Sequence, residues 1–123
     1  MYEYYYALEK LNRAIYIMAV GPNDVRARMR SAFEGPLAMI ESNKLPKRAR
    51  SLWEEAHNIA TRFDERYSGE REALNGYTGA CERLRLGLYE ATFSRIHRST
   101  GQKVAELIYQ VWDIVNTDYS ETA

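Results

Sequence analysis

Apolar residues recur every three or four positions through most of this chain, from Tyr5 to Val115. A spacing near 3.6 residues places such side chains on one side of a helix, whereas a strand would require strict alternation. The pattern therefore predicts an all-α protein, a mostly antiparallel bundle of four or five helices. At 123 residues, the chain is short enough for residues 1–123 to form a single helical domain.

Gly, Pro, Ser and Asn residues divide the chain into five predicted helices. Gly21-Pro22 ends the first helix, and Asn23 or Asp24 caps the second. Gly35-Pro36 either kinks or breaks the second helix. Ser99, followed three residues later by Gln102, is typical of a capping box that starts the fifth helix. The predicted helices cover about 2–20, 25–40, 46–67, 70–98 and 99–116, followed by a frayed tail over 117–123.

The predicted core comes from the apolar faces of helices three to five. Helix four carries two such faces, which predicts a central position with neighbours on two sides. The short connection Ser68-Gly69 predicts that helices three and four pack antiparallel. The residues predicted to be most buried are Trp53, Phe63, Leu74, Leu84, Leu88, Leu107, Val111 and Trp112.

Charge and cysteine content narrow the class of protein. The chain has 17 Lys and Arg residues against 17 Asp and Glu residues, without the positive excess typical of nucleic-acid binders. Cys81 is the only cysteine, which excludes an internal disulfide and favours a reducing cytoplasm. No signal peptide is predicted, and the longest uncharged run, 14–23, is too short to cross a membrane.

The motifs of common enzymes and metal sites are missing from the sequence. Glu54 and His57 have the Glu-x-x-His spacing of di-iron bundles, but Ser94 stands where a second unit before His97 would need glutamate. We therefore expect His57 to be a partly exposed neighbour of Trp53. The sequence predicts no metal, no cofactor and no catalytic residue, and we interpret the protein as non-enzymatic.

Tyrosine is unusually frequent, with ten residues in the chain. Four of them stand at Tyr2, Tyr4, Tyr5 and Tyr6. Successive helical residues are about 100° apart, so these side chains surround the helix and one neighbouring surface cannot cover them all. They form either a partly exposed first turn or an interface with a partner or a second copy, since tyrosine is enriched at protein interfaces.

Basic residues are concentrated in two runs, which suggest anion or partner binding. If helices three and four are antiparallel, both runs meet at one end of the bundle. Arginine suits bidentate recognition of phosphate and carboxylate, although an ordinary solvated surface is the alternative. Arg26 and Arg30, four residues apart, should share one side of helix two. The two runs are Lys44, Lys47, Arg48 and Arg50, and then Arg95, Arg98 and Lys103.

Two functional hypotheses follow from the sequence. The first is a small cytoplasmic binding or adaptor protein that acts through helix surfaces, with a protein partner or a second copy in a homodimer. The second is a binder of nucleic acid or another polyanion that uses the basic end of the bundle. Neither hypothesis involves a membrane or a metal.

Overall fold

The computed structural model describes residues 4–62, 89 and 91–122, and every regular element in this part of the chain is a helix, with no strand. This confirms the all-α prediction. Two 3₁₀ turns, Pro36–Met39 and Ser42–Lys44, connect the second and third helices, and residues 91–95 are also helical. The α-helices of this part are α1 (Tyr5–Val20), α2 (Val25–Glu34), α3 (Lys47–Ala60) and α4 (Arg98–Thr122).

Contacts between α3 and α4 show that these helices are antiparallel. Near the start of α4, Lys103 Nζ lies 3.3 Å from Glu55 Oε2 in the second half of α3. Near its end, Asp118 accepts a hydrogen bond from Arg48 in the first turn of α3. The first turn of α3 therefore lies beside the last turns of α4.

The contacts between α1 and α4 show that these two helices are also antiparallel. Trp112 Nε1 donates a 2.7 Å hydrogen bond to Asn12 Oδ1. One end of this pair is closed by Tyr5 and Tyr119, whose ring centroids are 6.1 Å apart. Both α1 and α3 thus run antiparallel to α4, which packs against α1, α2 and α3.

The core contains an aromatic cluster centred on Phe33, which is fully buried in α2. Its ring centroid lies 6.2 Å from Trp53, 5.5 Å from Tyr89 and 5.8 Å from Phe93. We call these four residues the buried aromatic cluster. The cluster joins α2 and α3 with residues 89 and 93, because burying the four rings against one another removes a large apolar area from water.

The start of α2 confirms one of the two predicted caps. Asp24 Oδ1 accepts hydrogen bonds from the backbone N–H groups of Arg26, at 2.8 Å, and Ala27, at 3.4 Å. At the other end, α2 stops at Glu34, and Pro36 begins a 3₁₀ turn. The Gly35-Pro36 interruption is therefore a break and not a kink, because proline cannot extend the helical hydrogen bonds.

Two predicted features at the ends of α4 are wrong. The helix begins at Arg98, so Ser99 lies inside the first turn and does not form a capping box. The polar tail predicted to fray is helical through Thr122. Contacts from Asp118 to Arg48 and from Tyr119 to Tyr5 hold this last part against α3 and α1.

The predicted core is confirmed for Trp53, Leu107 and Val111, which are buried. Trp112 is only half-buried and lies at the surface between α1 and α4. The proposed hairpin of 46–67 and 70–98 lies mostly outside the described residues, as does Cys81. So do the other predicted core residues, Phe63, Leu74, Leu84 and Leu88.

Candidate functional site

The tyrosines at the start of α1 face different neighbours, as their consecutive positions predict. Tyr4 is half-buried against the core. Tyr5 is exposed beside Tyr119, whereas Tyr6 is exposed on the other side, with Lys10 Nζ 5.2 Å from its ring centroid. Tyr2 lies outside the described residues.

A larger exposed surface extends along α1 and the adjoining side of α4. Tyr16 remains 68% exposed, Val20 59% and Tyr109 53%. Large apolar and aromatic side chains are therefore exposed together on one side of the protein. Tyrosine, an aromatic residue with a polar tip, is enriched at protein interfaces. We call this surface the aromatic face and define it by Tyr5, Tyr16 and Val20 of α1 and Tyr109, Trp112 and Tyr119 of α4.

Hydrogen bonding and ring contacts fix the α4 side of the aromatic face. Trp112 is held by Asn12 of α1 at 2.7 Å, and its ring centroid lies 5.5 Å from that of Tyr109. A bonded indole loses little further freedom when a partner covers it, so the cost of ordering this surface is already partly met in the free protein.

The exposed side of α1 also carries one acidic and one basic side chain. Glu9 and Arg13 are both exposed and lie between Tyr5 and Tyr16 along the helix. Residues 5, 9, 13, 16 and 20 recur at helical spacing, so they share one side. Neither Glu9 nor Arg13 forms an ion pair with another described residue.

The two basic runs do not meet at one end, so that prediction is wrong. Arg48 contacts Asp118 near the end of α4, whereas Arg98 and Lys103 lie at its beginning. The helix between Lys103 and Asp118 spans roughly 22 Å. Among the described helices, α3 packs against α4, and α4 carries its basic residues at the start.

The members of the first run have separate surroundings. Arg50 is half-buried, and its Nε and Nη2 donate hydrogen bonds to Leu45 O, at 2.9 Å, and Asn43 O, at 3.3 Å. Arg50 therefore holds the loop before α3. Lys44 and Lys47 are exposed, and Lys44 lines a groove with Tyr6. Within the second run, Arg95 is exposed in the helical segment that precedes α4.

Arg26 and Arg30 share one side of α2, as predicted, and line a pocket of about 280 Å³. The Asp24 carboxylate in this pocket lies 2.8 Å from Arg26 Nη2 and 3.9 Å from Arg98 Nε. Hydrogen bonds from the Arg26 side chain, and then from backbone N–H groups, lower the pKa of Asp24 from 3.8 to about 2. The same pair raises the pKa of Arg26.

Gly101 allows this pocket to form at the junction of α2 and α4. A Cβ atom at position 101 would lie 3.0 Å from Arg26 Cγ and 3.3 Å from Val25 Cγ1. Both distances are shorter than ordinary carbon contacts. Glycine therefore permits α4 to approach the first turn of α2, and sequence periodicity gave no indication of this packing role.

His57 occupies the predicted place, half-buried with its ring centroid 6.2 Å from that of Trp53. No three His, Cys, Asp or Glu side chains among the residues described are grouped so that they could hold a metal ion. None of the helices described combines the length and the hydropathy that crossing a bilayer requires.

The sequence pattern predicts a contact role for the first tyrosines but gives no sign that Tyr16, Tyr109 and Trp112 belong to one surface. They are exposed because the other helices cover the opposite sides of α1 and α4.

No protein-family model, curated protein or solved structure matches this chain.

Proposed function

We propose that this protein is a small non-enzymatic binding protein that acts through the aromatic face, and that the face binds a second copy of the same chain. The observation that carries the proposal is the exposure of Tyr5, Tyr16 and Tyr109 beside a hydrogen-bonded Trp112. The lone cysteine supports a reducing compartment such as the cytoplasm.

The chemistry of the aromatic face supports protein binding over solvent contact. Tyr5, Tyr16 and Val20 expose about half or more of their surface, and their contact with water is unfavourable at about 25 cal/mol for each Å² of apolar area. Tyr and Trp side chains supply large contact areas with few rotatable bonds, so they lose little entropy on binding.

The arrangement of charges supports a second copy as the occupant. In a symmetric dimer the same patch contacts itself, so it must be self-complementary. If two α1 helices cross antiparallel about an axis near Leu11, Glu9 of each copy lies opposite Arg13 of the other. Tyr5 of each copy then lies level with residues 16 and 17 of the other, so that it can contact Tyr16. The contact would gain two ion pairs and cover two aromatic side chains on each side.

Charge reversal on α1 tests this arrangement. Glu9→Arg produces two cations on α1, and Arg13→Glu produces two acids, so we expect each variant to be monomeric by analytical ultracentrifugation. An equimolar mixture of the two should form a heterodimer, because each cation then faces an acid. The double variant E9R/R13E should regain self-association, since it restores opposite charges at both places.

The mixture provides the decisive control. Each single substitution places two like charges four residues apart on α1, which costs helix stability of only about 0.5 kcal/mol, an effect that mixing cannot repair. A wild-type protein that sediments as a monomer at about 100 μM would contradict the proposed dimer. Single variants that remain dimeric, or a mixture that stays monomeric, would contradict this pairing.

The second hypothesis, a polyanion binder, is now supported only by the second basic run, because the two runs do not meet. Arg95 precedes α4, and Arg98 and Lys103 lie near its start, away from the first run. Of these, Arg98 lies beside Asp24, which is also the partner of Arg26. Binding that depends on phosphate contacts must weaken steeply with salt. A mobility-shift series with single- and double-stranded nucleic acid at rising salt tests it, and absence of retention at low salt would contradict it.

A further inference from the structure

The pocket at the start of α2 is a separate surface from the aromatic face. It has a volume of about 280 Å³ and is lined by Asp24, Arg26, Ala27, Arg30, Phe93 and Ser94. We propose that it binds a small oxyanion of the phosphate class, either inorganic phosphate or the phosphate group of a small phosphomonoester.

The orientation of Arg26 is the first argument for this site. Its Nε and Nη2 donate to Asp24 Oδ2 at 3.2 and 2.8 Å, and its Nη1 donates to Ile96 O at 3.2 Å. A guanidinium has five N–H donors, so these contacts leave two for a ligand within the described structure. The side chain is therefore fixed before a ligand arrives, which reduces the ordering cost of binding.

The surrounding charges supply the second argument. Arg98 Nε lies 3.9 Å from Asp24, and the Arg98 side chain is 68% exposed, so it can move toward a ligand. Arg30 lines the same pocket, with its Nε 3.2 Å from Glu34 Oε2. Three guanidinium groups therefore lie at or beside this pocket, and such a cluster of cations attracts an anion.

The size and lining of the pocket define the ligand class. Pockets for drug-sized ligands begin at about 300 Å³, so this volume suits a phosphate group with a small substituent. Planar guanidinium groups favour oxyanions that accept two hydrogen bonds at once. Phe93 lines the pocket with an almost completely buried ring and supplies an apolar wall beside the arginines.

The test is a titration of the full chain with inorganic phosphate at low ionic strength, followed by two-dimensional NMR of backbone and arginine Nε–H groups. We expect saturable shifts at Arg26, Ala27 and Ser94. Arg98→Ala should weaken phosphate binding about two- to fivefold, since it removes one exposed charge. Arg26→Lys should weaken it about tenfold, because lysine keeps the charge but loses the fork.

Arg48→Ala is the matched control, because Arg48 is also an exposed arginine that contacts an aspartate, at the other end of α4. It causes the same change in net charge and should leave phosphate affinity unchanged. Shifts that increase linearly without saturation up to about 20 mM phosphate would overturn the proposal. Equal weakening by Arg48→Ala and Arg98→Ala would also overturn it, because it would show a general charge effect.

Discussion

Two groups of aromatic residues in this protein have similar composition and opposite surroundings. The buried aromatic cluster contains Trp53 and lies between α2, α3 and the residues around Tyr89 and Phe93. The aromatic face contains Trp112 and remains open to solvent along α1 and α4. The chain has two tryptophans, one in each group, so variants that keep only one of them can report on each group by fluorescence.

The difference shows that aromatic residues at helical spacing do not by themselves identify a core. Phe33 has no polar atom in its side chain and is fully buried. The exposed group consists mainly of tyrosines, whose hydroxyl groups can form hydrogen bonds with water. It also contains the Trp112 indole, which is hydrogen-bonded to Asn12. Polar tips alone do not decide exposure, because Trp53 and Tyr89 also carry them and are buried.

The largest expected effect is in the buried aromatic cluster. Phe33→Ala removes the ring that contacts Trp53, Tyr89 and Phe93 and leaves a cavity. We expect the free energy of unfolding to fall by about 3–5 kcal/mol, measured by urea denaturation. A loss below about 1 kcal/mol would show that the cluster is loosely packed and no more important to stability than the aromatic face.

A smaller effect is expected where α1 and α4 meet. Asn12→Ala and Trp112→Phe each remove the hydrogen bond between these residues, so the double variant should cost less than the two single variants added together. We expect a coupling free energy of about 0.5–1 kcal/mol, again from urea denaturation. Additive effects would mean that the bond does not hold Trp112 in place.

Acid should weaken the attachment of α2, which carries Phe33, more than it weakens the aromatic face. The pKa of Asp24 in the folded protein, about 2, is below its ordinary value of 3.8. Its stabilising contribution is therefore complete above pH 3.8 and is lost as pH falls toward 2. Asp24→Asn retains a helix cap but cannot titrate.

We therefore expect the wild-type protein to be more stable than Asp24→Asn at neutral pH. The difference should shrink as the pH decreases below 3.8 toward 2. Urea denaturation of both proteins across this range, followed by tryptophan fluorescence, measures the change. A difference that stays constant with pH would show that the ionised form of Asp24 does not stabilise α2.

The smallest effect on stability is expected at the aromatic face itself. Tyr16→Ala removes a side chain that is 68% exposed, so the free energy of unfolding should change by less than about 0.5 kcal/mol. Self-association, measured by sedimentation, should nevertheless weaken at least tenfold. Gln110→Ala, also at an exposed position, is the control and should affect neither quantity. A large loss of stability in Tyr16→Ala would instead place Tyr16 in the core.

The linear sequence was sufficient for the helical class and for several boundaries. Gly21-Pro22 ends α1 and Asp24 caps α2, as the sequence predicts. Both features follow from backbone geometry and hydrogen bonds that act within a few residues. The pairing of Arg26 with Arg30 on one side of α2 also followed from helical spacing alone. Local rules failed at Ser99 and over 117–122, where contacts with other helices decided the outcome.

The basic runs show the limit of sequence reasoning for the candidate sites. Spacing correctly placed each arginine on a helix, but which ends met depended on the packing partner of α3. In the part of the chain that the structure describes, that partner is α4, which puts Arg48 beside Asp118 and leaves Arg98 beside Asp24. Spacing could not identify these neighbours, because several helix faces are similarly hydrophobic and any of them could pack against α3.

The sequence by itself determined that this protein is helical, where α1 and α2 end and begin, and which residues share a helix side. Those features depend on interactions between residues fewer than five positions apart. Only the tertiary structure decided that α4 packs against both α1 and α3, leaving Tyr16 and Tyr109 outside while Phe33 is enclosed. Burial is a property of the assembled helices, since a side chain leaves water only when another helix covers it.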